Sequence, residues 1–193
     1  MNKLLLFFII IFCFGCVSDR NIVSVRQVES DSYVVLRMRN DRAHIHSILY
    51  PVSFEFRKNV KKNLFYCENS YFAKNDELCP GTAGCYLKPY DGDENLKSSY
   101  KKFCGTIKYV VDKDDTLKNI MSEYYRVMLE EKKDTIYIPL EIYIPLEIFK
   151  EKHGELIREY LDGDSIYLHF HDHKRFYDIP LKMEFLEFEG MGK

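Results

Sequence analysis

Tyr33-Val34-Val35-Leu36-Arg37-Met38-Arg39-Asn40-Asp41-Arg42-Ala43-His44-Ile45-His46-Ser47-Ile48-Leu49-Tyr50 is the stretch on which the fold reading turns. Over 33–39, Val34, Leu36 and Met38 share one side of an extended chain while Val35, Arg37 and Arg39 share the other. That period of two is the mark of a half-buried strand. Asn40-Asp41-Arg42 supplies turn chemistry, because Asn and Asp side chains bond their own backbone. Strands 33–39 and 43–50 are therefore read as an antiparallel hairpin. Pro51 interrupts it, and Val52, Phe54 and Phe56 resume an apolar face.

Working outward, Ile22–Val28 reads as a first strand and 103–111 as another. From Thr116 the period changes: Leu117, Ile120, Met121, Tyr124 and Met128 recur at helical spacing, with Asp114 and Asp115 before them and Lys132 and Lys133 after. Beyond them lies an identical tandem repeat, Ile136-Tyr137-Ile138-Pro139-Leu140-Glu141 and then Ile142-Tyr143-Ile144-Pro145-Leu146-Glu147. Because the repeat length is even, an extended chain keeps Ile and Leu on one side from 136 to 148 and puts Tyr, Pro and Glu on the other. Prolines lacking N–H groups on one lateral side belong at a sheet edge. A strand that long exceeds the usual range, so a break is expected near Pro145. Glu155–Leu161 reads as a short helix, and 165–171 and 176–188 as closing strands around the turn 172–175. The whole predicts a mainly β chain, an antiparallel β-sandwich-like domain with one amphipathic α-helix.

Four cysteines, Cys67, Cys79, Cys85 and Cys104, fall in a stretch rich in Lys, Asn, Asp, Gly and Pro, read as a disulfide-tied insertion over about 60–105. An even number of cysteines in an exported chain implies two disulfides, with three pairings open. Zinc is the rival ligand for these thiols, but their spacing contains no Cys-x-x-Cys knuckle.

Export is read from the first twenty residues. Lys3 precedes an unbroken apolar run, Leu4 to Phe14, and then come Gly15 and Cys16. A positive charge before a short apolar stretch is the layout of a secretory signal. As a helix the run extends about 16 Å, against a hydrocarbon core of about 30 Å. The segment resembles the signal peptides of bacterial lipoproteins, which are cleaved just before a cysteine that carries diacylglycerol. Gly15 and Cys16 fill the positions of the small residue and the lipidated cysteine. Cys13 and Phe14 depart from the Leu and small residue usual ahead of that pair. The resemblance implies a leader over 1–15, a lipidated tether over 16–21 and a single globular domain over 22–193. It also implies a bacterial envelope location with the lipid bilayer as a partner through acylated Cys16. Val17 rather than Asp after the cysteine points to the outer membrane in a Gram-negative cell.

Removing residues 1–15 takes Lys3 and no acid from 28 basic and 30 acidic residues, leaving a formal charge of about −3. That balance argues against nucleic acid as a partner. Five of the six histidines lie in two clusters, His44-Ile45-His46 and His169-Phe170-His171-Asp172-His173. Residues two apart on a strand point the same way, so each His-x-His is a candidate for presenting two imidazoles to zinc or copper. Gly-x-Ser-x-Gly, His-Glu-x-x-His, phosphate-loop and dinucleotide fingerprints are all missing from the sequence. The leading reading is a non-enzymatic envelope lipoprotein, without a cofactor, that binds another envelope protein or is a structural component, and an envelope hydrolase is a third reading. The alternative is metal binding through His44, His46, His169, His171 and His173.

Overall fold

The strand that carries the second half of the predicted hairpin runs much further than that hairpin needs, from Ile45 to Lys58, and organises the molecule. In this computed structural model the described residues are 22–39, 44–72, 83–96, 100–111, 115–131 and 141–187. They form β1 (Val23–Val28), β2 (Tyr33–Met38), β3 (Ile45–Lys58), β4 (Phe65–Phe72), β5 (Ala83–Pro89), β6 (Tyr100–Val110), α1 (Asp115–Glu131), β7 (Glu141–Pro145), α2 (Leu146–Leu161), β8 (Ser165–His171) and β9 (Phe176–Lys182). Residues 1–21, including Cys16, lie outside the described residues, as do Cys79, the turn 40–43 and the first repeat copy over 136–140.

The larger sheet runs β5-β6-β3-β2-β7, with β1 also paired to β3; the smaller runs β4-β8-β9. Every pairing is antiparallel. Pro51 does not interrupt β3, contrary to the sequence reading. On one side β6 pairs along nearly the whole strand, with Pro51 opposite Thr106. On the other, β2 pairs only up to Leu49 and β1 only from Ser53. The missing N–H of Pro51 falls in that gap, where no ladder bond is forfeited.

Both sheets share one core with the helices. Phe54, Phe56, Phe103, Phe149 and Phe170 are fully buried, each contributing roughly 1.5–3 kcal/mol. Rings from the two sheets meet, Phe56 with Phe170 at 5.7 Å and Tyr66 with Phe103 at 4.8 Å. Val34, Leu36 and Met38 are buried on β2, as their alternation predicts. On α1 Leu117 and Met121 are buried and Ile120 and Tyr124 pack against the core; the Met128 side chain lies outside the described residues.

Two expectations are corrected. The break near Pro145 is there, but the chain continues beyond it as a second helix, α2, rather than as more strand. Pro145 is extended at φ −52°, ψ 133°, ends edge strand β7 and directly precedes the helix, so Leu146 turns inward while Ile148 is left exposed. The stretch read as a disulfide-tied insertion supplies β4, β5 and the start of β6, with strands in both sheets. Its Cys67, Cys85 and Cys104 are free thiols. Cys85 and Cys104 lie on neighbouring strands out of register, opposite Ile107 and Lys88. Their offset of three positions amounts to about 10 Å, too far for a bridge. Cys67 sits in the other sheet, where the β4 register shifts between Tyr66 and Glu68. Among the described residues no helix is long and apolar enough to cross a membrane.

Candidate functional site

The most developed concave site surrounds the one histidine outside the two sequence clusters. Helix α2 breaks at His153 (φ −133°, ψ 18°), giving helical segments over 146–152 and 154–161. Beside the break, Ile120 of α1, residues 150–156 and Arg158 of α2, and Phe185 and Glu187 of the terminal segment line an open groove of about 520 Å³. Its apolar wall is Ile120, Leu156 and Phe185. The segment 183–187 is strapped onto the helix. Lys150 Nζ donates to the Leu186 carbonyl at 2.6 Å, and Arg158 pairs with Glu187. Phe185 lies under both cations, 5.5 Å from Lys150 and 5.0 Å from Arg158. A Cβ on Gly154 would sit 3.3 Å from the Phe185 ring, so glycine sets how closely the segment seats.

Burial shapes the protonation of the groove. Lys150 is only 6% exposed, and desolvation holds its amine below the usual lysine range. Desolvation, with Lys152 adding to it, also holds the His153 imidazole below its ordinary 6.5. The Tyr124 hydroxyl lies within hydrogen-bond distance of this ring, 2.8 Å from Nε2. Buried groups with displaced protonation beside a cavity make this groove the candidate site.

A second arrangement sits on the outer face of the smaller sheet. Ser70 Oγ is 3.1 Å from His169 Nε2, and His169 Nδ1 is 2.8 Å from Asp178 Oδ1. In the Nδ1–H tautomer this is the order of groups that activates a serine for acyl transfer. Acyl transfer further requires donors aimed at a developing oxyanion. Edge strand β4 pairs with β8 on one side, and Glu68, on the same face as Ser70, stands opposite His169. Asp178 is 64% exposed. The trio serves as a cross-strand polar ladder.

The two predicted histidine clusters lie on different sheets. His44 lines a small cavity with Val111, Met121 and Tyr125. His46 has a buried Nδ1 without a hydrogen-bond partner among the described residues. His171 and His173 do meet, ring centroids 5.2 Å apart, both against Phe65. Among the described residues no group of three or more His, Cys, Asp or Glu side chains is assembled to hold a metal ion. Of the cysteines, Cys85 is the most enclosed, its thiol pushed up to about 12 by burial.

The sequence reading missed the groove because its walls come from residues 120, 150–158 and 185, which no local spacing connects. His153 followed by Gly154 inside an otherwise helical stretch was the available signal. In comparison with known proteins, no family model matches the chain, and neither a curated protein nor a solved structure matches it.

Proposed function

We propose that the chain is a lipid-anchored protein of the bacterial envelope, held through acylated Cys16, whose sandwich-like β domain binds a partner protein in the groove at His153. The anchoring half rests on the leader ending in Gly15-Cys16 and on a strand beginning at Val23, soon after that cysteine. The single observation that carries the binding half is the groove itself. It joins an apolar wall to a rim of both charge signs, with Glu151, Lys152 and Glu155 exposed, which suits an apolar side chain of a partner within a polar surround. The contacts between the two sheets, Phe56 with Phe170 and Tyr66 with Phe103, support the sandwich-like packing.

The test uses the full-length protein in its own membranes, with a photo-crosslinking side chain at Leu156. One discrete adduct, lost when Phe185→Ala removes a groove wall, is the expected result. Absence of a specific adduct, or one indifferent to Phe185, contradicts the binding half.

A metal-binding role, with zinc or copper, keeps one favourable observation, the approach of His171 to His173. Two imidazoles make half of a tetrahedral set. Calorimetric titration with Zn²⁺ and Cu²⁺ decides it: saturable binding abolished by His171→Ala supports that role, and absence of saturable heat removes it.

A further inference from the structure

The chain leaves its first strand at one particular end of the molecule. The Ile22 carbonyl accepts from the Asn59 N–H at 2.9 Å, which fixes the start of the domain against the turn 59–63 between β3 and β4. That turn is joined to the β8–β9 hairpin turn, 172–175. Lys62 Nζ lies 2.7 Å from Asp172 Oδ2 and also donates to the Tyr177 hydroxyl. Asp172 in turn accepts from the Lys174 and Arg175 N–H groups at 3.0 and 2.9 Å, so the hairpin tip is held rather than loose. The six residue steps from Cys16 to Ile22 span at most about 20 Å when fully extended. This end therefore stays close to whatever holds Cys16.

Cations predominate in the two turns displayed there. Lys61, Lys174 and Arg175 are exposed, and none of the three pairs with a carboxylate among the described residues. With Lys62 they set four cations against the single Asp172 in the two turns, a local excess of three in a mature chain of overall negative charge. Beside them Phe176 is 77% exposed, at the rim of a ring cluster with His171, His173 and Phe65. The β5–β6 loop beside them carries exposed acids: Asp91 pairs with Lys101, Asp93 caps the Asn95 N–H, and Glu94 is exposed with its carbonyl accepting from the Tyr66 N–H. Exposed cations with an exposed aromatic ring suit the boundary of an anionic bilayer, where charge meets headgroups and the ring enters the interface.

We infer that this end, through Lys61, Lys174, Arg175 and Phe176, docks the domain onto the anionic lipid headgroups of the bilayer that holds Cys16. The inference rests on the lipid-anchor reading above. It adds an orientation: the tethered end lies on the membrane, and the groove, whose Ile120 wall belongs to the helix packed near the start of β3, is turned away from it.

The experiment takes the full chain purified from membranes, with intact mass recording acylation of Cys16 independently. It is reconstituted in vesicles of phosphatidylcholine alone or mixed with phosphatidylglycerol, and amide hydrogen exchange is followed over 59–63 and 172–176. Slower exchange in the anionic vesicles alone, reversed by salt and by K61E/K174E/R175E, is expected, with 44–46 unaffected. Each charge removed should lower the ratio of docked to undocked domain roughly fivefold. Lys62 is left in place because it holds Asp172, and the salt response of the unaltered chain stands as a second readout should the triple variant fold poorly. Equal exchange in both vesicles, or protection that survives the triple reversal, overturns the docking while an acylated mass leaves the anchor intact. An unmodified Cys16 overturns the anchor reading and the docking with it.

Discussion

The end proposed to face the membrane and the groove end handle charge in opposite ways. At the proposed membrane-facing end, cations stand outside a well-made turn: Lys62 and Tyr177 hold the Asp172 carboxyl well below its usual range, and Lys61, Lys174 and Arg175 face water. At the groove end, Lys150 and His153 are drawn inward, their charged forms penalised by desolvation. The first arrangement presents charge to a partner at little expense to the fold; the second holds its groups poised against loss of water contact. A surface for lipid headgroups needs the former, and a cleft that takes an apolar side chain tolerates the latter.

The contrast is sharpest for two phenylalanines. Phe149→Ala, at a fully buried position packed against Tyr124 and His153, should lower stability by about 3–5 kcal/mol in denaturant unfolding. Phe176→Ala, 77% exposed, should change it by no more than about 0.5 kcal/mol. Comparable losses would erase the distinction between the ends.

The frame linking them is tested next. An added Cβ at Gly105 would lie 2.1 Å from the Tyr86 carbonyl oxygen, so Gly105→Ala should destabilise by about 1–3 kcal/mol and loosen β5 from β6 in hydrogen exchange. A neutral outcome would mean that the two strands have room to part.

A smaller effect separates the groove by pH. The His153 value is lowered in the folded state, so its neutral form supports the fold above the unfolded value of about 6.5. Below that, the unfolded chain binds a proton that the folded chain resists, and stability falls with the pH. Unfolding midpoints should decline on acidification from about pH 6.5, and His153→Gln should flatten the slope there. An unchanged slope would remove the desolvated imidazole from the account.

The smallest change is expected from Ser70→Ala. Stability should stay within about 0.5 kcal/mol, and the unaltered chain should resist a fluorophosphonate probe. Labelling lost in Ser70→Ala would turn the outer-face trio from a ladder into a catalytic group.

Legibility tracks how local the physics is. The hairpin β2–β3, the closing strands β8 and β9 and helix α1 each carry their own period, and all were readable from residues a few positions apart. Helix α2 was half hidden. Its buried stripe includes Lys150 where an apolar residue would be expected, the His153 break cuts its period, and its first turn inherits a repeat whose alternation imitates a strand. Pro51 misled for the opposite reason, since only the pairing of both neighbours shows that its missing donor does no harm. The cysteines could be counted but not placed, because register between strands decides which thiols meet. Of the histidines, the clustered five were conspicuous and the isolated His153 was not, although it alone sits at a kink between two helices and a terminal strap.

The anchor underlies the orientation of everything above, and metabolic labelling with radioactive palmitate in the expressing cell tests it most directly. The account predicts label in the mature chain and its complete loss in Cys16→Ser, with the leader retained. Label that persists without Cys16, or its absence from the unaltered chain, would contradict it.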